Sequence, residues 1–147
     1  MPRSYASTVI GASADAVWAV IRDFNGLPHW HPGIAKSEIE NGLPADRVGS
    51  IRSFTLQDGT PIREKLLALS DSERSMTYDF QTWPFPVRDY CAILRVTPVT
   101  DGDASFVEWW ATFSTAEADE ATMTSTFANG VFQPGFDALK QRFTQQG

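Results

Sequence analysis

The sequence predicts an α+β fold in which helices gather on one face of an antiparallel sheet. Three observations carry that reading. A short β-rich run opens the chain, and turn signals then divide residues 34–113 into strands at intervals of about a dozen residues. A long helical stretch closes the chain.

Tyr5 to Ile10 reads as the first strand. Ser13 offers an N-cap to a helix beginning at Ala14, in which Val17, Trp18 and Ile21 share a face and Asp15 suits the positive end of the helix dipole. Asn25-Gly26 ends that helix, so Leu27-Pro28-His29-Trp30-His31-Pro32 is an irregular turn or a short second helix. Turns follow at Asn41-Gly42-Leu43-Pro44, Asp58-Gly59, Ser70-Asp71-Ser72, Trp83-Pro84-Phe85-Pro86 and Asp101-Gly102-Asp103, leaving about six strands between Ile34 and Phe113. After a polar link from Ser114 to Glu120, a helix is expected from about Ala121 to Phe143. It carries two apolar stripes, Phe127/Val131/Pro134/Ala138 and Phe132/Phe136/Leu139/Phe143, where an amphipathic helix needs one. Pro134 is expected to bend the helix so that the stripes bury against different elements.

Composition bounds the function. The chain has 147 residues, 42% of them hydrophobic, which suits one domain with a core that needs neither disulfides nor metal. Eighteen acidic residues against 12 basic give a net charge of −6, and the nine Arg and three Lys are scattered singly. That balance argues against nucleic acid and against an anionic membrane surface as partner. Cys91 is the one cysteine, so an internal disulfide is excluded. No signal-type segment follows Met1 and no stretch approaches the roughly 20 apolar residues of a membrane span, so a cytoplasmic chain without integral membrane association is expected.

Strand parity selects the candidate site. Arg52, Phe54 and Leu56 share one face of their strand, and Ile62, Glu64 and Leu66 one face of the next. A three-residue turn with Gly59 left-handed, setting Phe54 across from Glu64 and Leu56 across from Ile62, keeps the apolar residues of both strands together. Met76, Tyr78 and Phe80 form a third such face, Tyr90, Ala92 and Leu94 a fourth, and Phe106, Glu108 and Trp110 a fifth. Two carboxylates and an arginine then stand on otherwise apolar inner faces. That costs free energy unless something satisfies them. Either the cluster orients a ligand or does acid–base work, or it is a structural Arg–Glu network.

His29 and His31 are the two histidines, too few for a metal site with Cys91 remote. Beside Trp30 they read as the rim of a pocket or as packing within a turn. No nucleophile elbow, P-loop or dinucleotide fingerprint is present, and Cys91 alternates to the outer face. Trp83-Pro84-Phe85-Pro86-Val87 is an apolar loop stiffened by two prolines: a lip over a cavity, or a dimer contact.

The element order, together with Ala14-Asp15-Ala16-Val17-Trp18, Trp30-His31-Pro32, Val48-Gly49-Ser50-Ile51-Arg52, Asp58-Gly59, Ile62-Arg63-Glu64-Lys65-Leu66 and Asp71-Ser72-Glu73-Arg74, resembles the START-like helix-grip superfamily. This superfamily is also labelled SRPBCC or polyketide cyclase/dehydrase-like, and includes the major birch pollen allergen and the plant abscisic acid receptors. The resemblance covers the whole chain. It implies a curved antiparallel sheet of about seven strands wrapped around the long C-terminal helix, one or two short helices after the first strand, and a hydrophobic cavity between sheet and helix.

Set against the abscisic acid receptors, Phe54 and Leu56 match the strand before the gate loop, Glu64 a pocket glutamate, and Tyr78 and Phe80 pocket walls. Phe85, Pro86 and Val87 fall at the latch, with Tyr90 and Ala92 on the next strand. Glu108 matches a second pocket glutamate, and Phe127, Val131 and Gly135 match helix residues that touch ligand. The gate loop is reduced to the Asp58-Gly59 turn and the receptors' ligand-binding lysine position aligns with Pro32, which argues against abscisic acid. No catalytic set of the aromatic polyketide cyclases can be matched.

The expected function is therefore that of a carrier or sensor. A small hydrophobic or amphipathic molecule would sit in a cavity of about 300–1,000 Å³. Trp30, Arg52, Phe54, Leu56, Ile62, Glu64, Tyr78, Phe80, Phe85, Val87, Tyr90, Ala92, Glu108, Trp110, Phe127, Val131 and Gly135 would form the site, without cofactor or metal, in a monomer or homodimer. The alternative is a cyclising, dehydrating or hydrolytic enzyme, with Glu64 or Glu108 as acid–base group and Tyr90 or His31 assisting.

Overall fold

A computed structural model describes the backbone of residues 1–146 and the side chains of residues 1–144. Among these residues seven antiparallel strands form one sheet: β1 (Arg3–Ile10), β2 (Ile34–Ile39), β3 (Ile51–Leu56), β4 (Pro61–Ser70), β5 (Ser75–Thr82), β6 (Arg88–Val99) and β7 (Ala104–Ser114). Their spatial order is β1-β7-β6-β5-β4-β3-β2, a meander with the first strand added beside the last. Between β1 and β2 lie α1 (Ala14–Ile21) and the one-turn α2 (Leu27–Trp30). After β7 come α3 (Glu120–Phe127), a π turn (Ala128–Phe132) and α4 (Gln133–Gln146). The result is a curved sheet around a long C-terminal helix.

Local chemistry accounts for the elements. Ser13 caps α1 by accepting the Ala16 N–H at 3.2 Å, and Ala14, Val17, Trp18 and Ile21 are its buried face. Register shifts at Ile34/Lys36, Arg63/Glu64, Leu66/Ala68 and Arg88/Cys91 interrupt the ladders, and such bulges bend the strands that carry them.

The β3–β4 hairpin corrects an expectation. Its loop has three residues and Gly59 at φ 88°, but it begins at Gln57: Leu56 N–H donates to Thr60 O at 3.0 Å and Gly59 N–H to Leu56 O at 2.9 Å. The register therefore sets Arg52 opposite Glu64 and Phe54 opposite Ile62. The same residues face inward as expected, since the shift is even, but the charged pair meets across the ladder.

A second correction concerns β7. Ser105, Val107, Trp109, Ala111 and Phe113 are its buried residues; Phe106, Glu108 and Trp110 lie on the outer face. There Glu108 accepts the Tyr5 hydroxyl at 2.6 Å, and the Trp110 ring lies 6.4 Å from that of Tyr5 on the neighbouring strand. Trp110 gains a cross-strand aromatic partner there and Glu108 a hydrogen bond, both from Tyr5.

The irregularity of the C-terminal helix lies one turn before Pro134. Gln133 N–H donates to Ala128 O, five residues back, and the widened turn sits just before the residue that has no N–H to donate. A π turn also brings residues five apart onto one side. Phe127 packs against Phe113 (5.3 Å between ring centroids) and Phe132 against Trp109 (4.6 Å), both on the inner face of β7. Met123, Phe127, Phe132, Phe136 and Leu139 are all buried, so Phe127 of the first stripe joins most of the second in one buried face.

Candidate functional site

Sheet and helix do not fill the space between them. A cavity of about 270 Å³ remains, lined from the sheet by Arg52, Phe54, Leu56, Ile62, Glu64, Tyr78, Phe80, Tyr90 and Trp109. The helix contributes Thr126, Phe127, Gly130 and Val131, the α2–β2 segment Leu27, His31, Gly33 and Ile34, and the β5–β6 loop Phe85. Its volume falls just under the expected range. A cavity of about 150 Å³ accepts benzene, so this one suits a molecule of one or two rings.

The aromatic wall is a stack. Phe80 lies 3.8 Å from Tyr90 and 5.9 Å from Phe85, near-parallel to both, and Phe127 closes against Tyr90 at 5.0 Å and Phe85 at 5.1 Å. Trp83, outside this group, stacks on Phe80 at 5.8 Å and donates its indole N–H to Val87 O at 2.9 Å. That bond ties the proline-rich loop back on itself with Phe85 turned into the cavity.

One ion pair interrupts the apolar wall. Arg52 and Glu64, with side chains 4% and 6% exposed, meet through a single carboxylate oxygen. Oε1 lies 2.9 Å from Nε and 2.7 Å from Nη2. Nη1 donates to Phe24 O at 3.0 Å, and the guanidinium sits 4.0 Å over the Phe24 ring and 4.8 Å from that of Tyr78. These partners hold the arginine buried. Burial pushes the Glu64 carboxyl above the usual carboxylate range, against the pull of Arg52. Trp109 Nε1 donates to the Tyr78 hydroxyl at 2.9 Å, and Tyr78 and Tyr90 both line the cavity. Burial raises both phenols above their ordinary value, so they stay protonated at neutral pH.

His31 is a fastener. Its Nδ1 accepts the Gly33 N–H at 3.0 Å, which leaves Nε2 as the protonated nitrogen, donating to Val131 O at 2.7 Å. Burial lowers its pKa, against the bond to Val131, with Arg52 lowering it further. With both ring nitrogens engaged inside the fold, the ring is committed to holding the π turn against the α2–β2 segment. His29 is exposed.

Of the residues expected at the site, Arg52, Phe54, Leu56, Ile62, Glu64, Tyr78, Phe80, Phe85, Tyr90, Phe127, Val131 and His31 come together around the cavity. Trp30, Val87, Ala92 and Gly135 are buried behind its wall. Gly135 is the seat of that layer, since a Cβ there would lie 2.9 Å from His31, 3.0 Å from Trp30 and 3.1 Å from Trp109. Glu108 and Trp110 lie on the opposite side of the sheet, so the cavity holds one carboxylate where two were expected. Leu27, Gly33, Ile34, Trp109, Thr126 and Gly130 were missed. Trp109 had a signal, because Val107, Trp109, Ala111 and Phe113 are uniformly apolar whereas the alternate phase includes Glu108 and Thr112. The others are placed by turns and helix phase that no strand pattern shows.

The family model described as polyketide cyclase / dehydrase and lipid transport matches residues 1–144. The protein XoxI from Bacillus cereus is 34% identical, with a TM-score of 0.88 over 98% of this chain and 96% of its own. A protein from Bacillus thuringiensis is 32% identical, with a TM-score of 0.84 over 97% and 98% of the two chains. Norcoclaurine synthase from Thalictrum flavum, in complex with dopamine and hydroxybenzaldehyde, shares the fold at 19% identity, with a TM-score of 0.78 over 99% of this chain and 87% of that one. No curated protein matches the chain significantly.

Proposed function

The chain belongs to the polyketide cyclase/dehydrase and lipid transport family, and from that premise we propose that it binds a small hydrophobic or amphipathic molecule of one or two rings between sheet and C-terminal helix, as a carrier or sensor. The supporting observation is the cavity of about 270 Å³ walled by Phe54, Phe80, Tyr90 and Phe127 and broken by one buried ion pair. Its size favours a compact ring system over a long acyl chain. The aromatic walls supply burial, and the polar atoms of Glu64 and Tyr90 fix orientation. The plant enzyme of the same fold accommodates dopamine and hydroxybenzaldehyde, molecules of that size.

Native mass spectrometry tests this, applied to the protein as purified and after exposure to a panel of one- and two-ring aromatics, with small-molecule analysis of whatever is released. One bound molecule per chain is expected. A chain that stays empty throughout would contradict the reading.

A second reading draws on the Glu64 carboxyl, whose burial raises its pKa beside the Tyr90 hydroxyl. A carboxyl so placed can exchange a proton with a bound substrate, as cyclisation or dehydration requires. On that reading Glu64→Gln binds the same compounds without converting them. Glu108, across the sheet, has no part in it.

A further inference from the structure

The proposal rests on the cavity reading above and concerns what the ligand must carry. Polar atoms buried at a ligand site need partners, and the inventory at this one can be closed. Trp109 Nε1–H can only donate, and it donates to the Tyr78 oxygen at 2.9 Å. The Tyr90 hydroxyl makes no hydrogen bond to a described residue and is not one of the sealed buried atoms left without a partner. It is therefore open to the cavity that its residue lines, where its proton can meet a ligand, as can that of Tyr78.

Glu64 mirrors it. Oε1 takes both Arg52 contacts, and Oε2 has no hydrogen-bond partner among the described residues. Among the described residues the sealed buried side-chain atoms without a partner are Trp30 Nε1 and Arg142 Nε, so Glu64 Oε2 is open to the cavity that its residue lines. The site therefore offers the phenolic protons of Tyr78 and Tyr90 as donors and Glu64 Oε2 as the uncommitted acceptor. Its charge is already balanced, because Arg52 is neutralised by Glu64. A carboxylate ligand would crowd a second anion around one guanidinium inside an apolar wall.

We propose that the ligand is an uncharged aromatic hydroxyl compound, whose hydroxyl donates to Glu64 Oε2 and accepts from the Tyr90 hydroxyl while its rings lie among Phe54, Phe80 and Phe127. One hydroxyl satisfies both cavity atoms.

The test is a calorimetric titration of the intact protein with naphthalene, 2-naphthol, 2-methoxynaphthalene and 2-naphthoate, repeated on Tyr90→Phe. In the wild type 2-naphthol should bind about tenfold tighter than naphthalene, the worth of roughly one good hydrogen bond, and tighter than 2-methoxynaphthalene, which can only accept. 2-Naphthoate should be the weakest. In Tyr90→Phe, which keeps the ring stack, the ratio of the 2-naphthol affinity to the naphthalene affinity should fall severalfold. If naphthalene matches 2-naphthol, or 2-naphthoate binds tightest, the assignment of the hydroxyl is overturned and the cavity reading stands. If nothing in the series binds, both fall.

Discussion

Arg52 and Glu64 stand directly opposite each other on β3 and β4, and one carboxylate oxygen takes two guanidinium nitrogens at 2.9 and 2.7 Å. Buried this deeply, the pair is costly to break from one side only. Glu64→Leu should destabilise the protein by about 3–5 kcal/mol, because it strands a buried arginine, whereas Arg52→Met combined with Glu64→Leu should recover most of that loss. Urea unfolding of the two variants measures both numbers. Equal stabilities would mean that Arg52 reaches water on its own.

Glu64 also sets a pH dependence. Its folded pKa is raised above the ordinary value of 4.5, so the native state binds the proton more tightly than the unfolded chain. The stability this contributes is fully present below about pH 4.5 and is lost as pH rises through the folded value. Relative to Glu64→Gln, the wild type should therefore lose stability on raising the pH above about 4.5, as read by unfolding midpoints across that range.

For His31 the sign is opposite. Burial lowers its pKa below 6.5, so the unfolded chain takes the proton first. The stability from the neutral ring is present above about pH 6.5 and is lost as pH falls through the folded value. Protonation would also set an Nδ1–H against the Gly33 N–H that it now accepts. Thermal unfolding between about pH 7.5 and about pH 5.5 should show the wild type losing stability more steeply than His31→Gln.

Two helix glycines should respond oppositely. Gly135→Ala drives a methyl into the edges of His31, Trp30 and Trp109 and should cost about 1–3 kcal/mol. Gly130→Ala meets nothing within 4 Å and should be neutral or stabilising by up to about 1 kcal/mol. Denaturant unfolding of both variants checks the contrast.

Strand parity identified the inner faces of β3 to β6, because apolar residues there alternate cleanly with polar ones: Arg52, Phe54, Glu64, Tyr78, Phe80 and Tyr90 all sit where alternation puts them. It failed at β7, where Phe106 and Trp110 outside rival Val107, Trp109 and Phe113 inside. Tyr5 gives Trp110 a partner on β1, so apolarity alone does not tell the faces apart. The pairing of Arg52 with Glu64 turned on which residue begins the hairpin loop, and Gln57 carries no turn signal. The second helix stripe was visible, but a fixed 100° per residue cannot show that a π turn brings Phe127 of the first onto the same buried face. Leu27, Gly33 and Ile34 come from the chain's path after α1, which no periodicity records.

The Trp83 loop bears on ligand exchange. Its indole N–H holds Val87 O and its ring braces Phe80, so Trp83→Ala should loosen the lip that carries Phe85. Dissociation of a bound naphthol, followed by stopped-flow fluorescence, should quicken severalfold while the sedimentation coefficient stays unchanged. A change in sedimentation would instead make the loop a contact between chains.

The central claim is that the space between sheet and helix takes a ligand. The direct measurement is a methyl-resolved NMR titration with 2-naphthol. Resonances of Leu56, Ile62 and Val131, which line the cavity, should shift and saturate together, while those of Val9 and Leu67 on the outside of the sheet stay put. Cavity methyls unmoved at saturating 2-naphthol, or shifts confined to Val9 and Leu67, would contradict it.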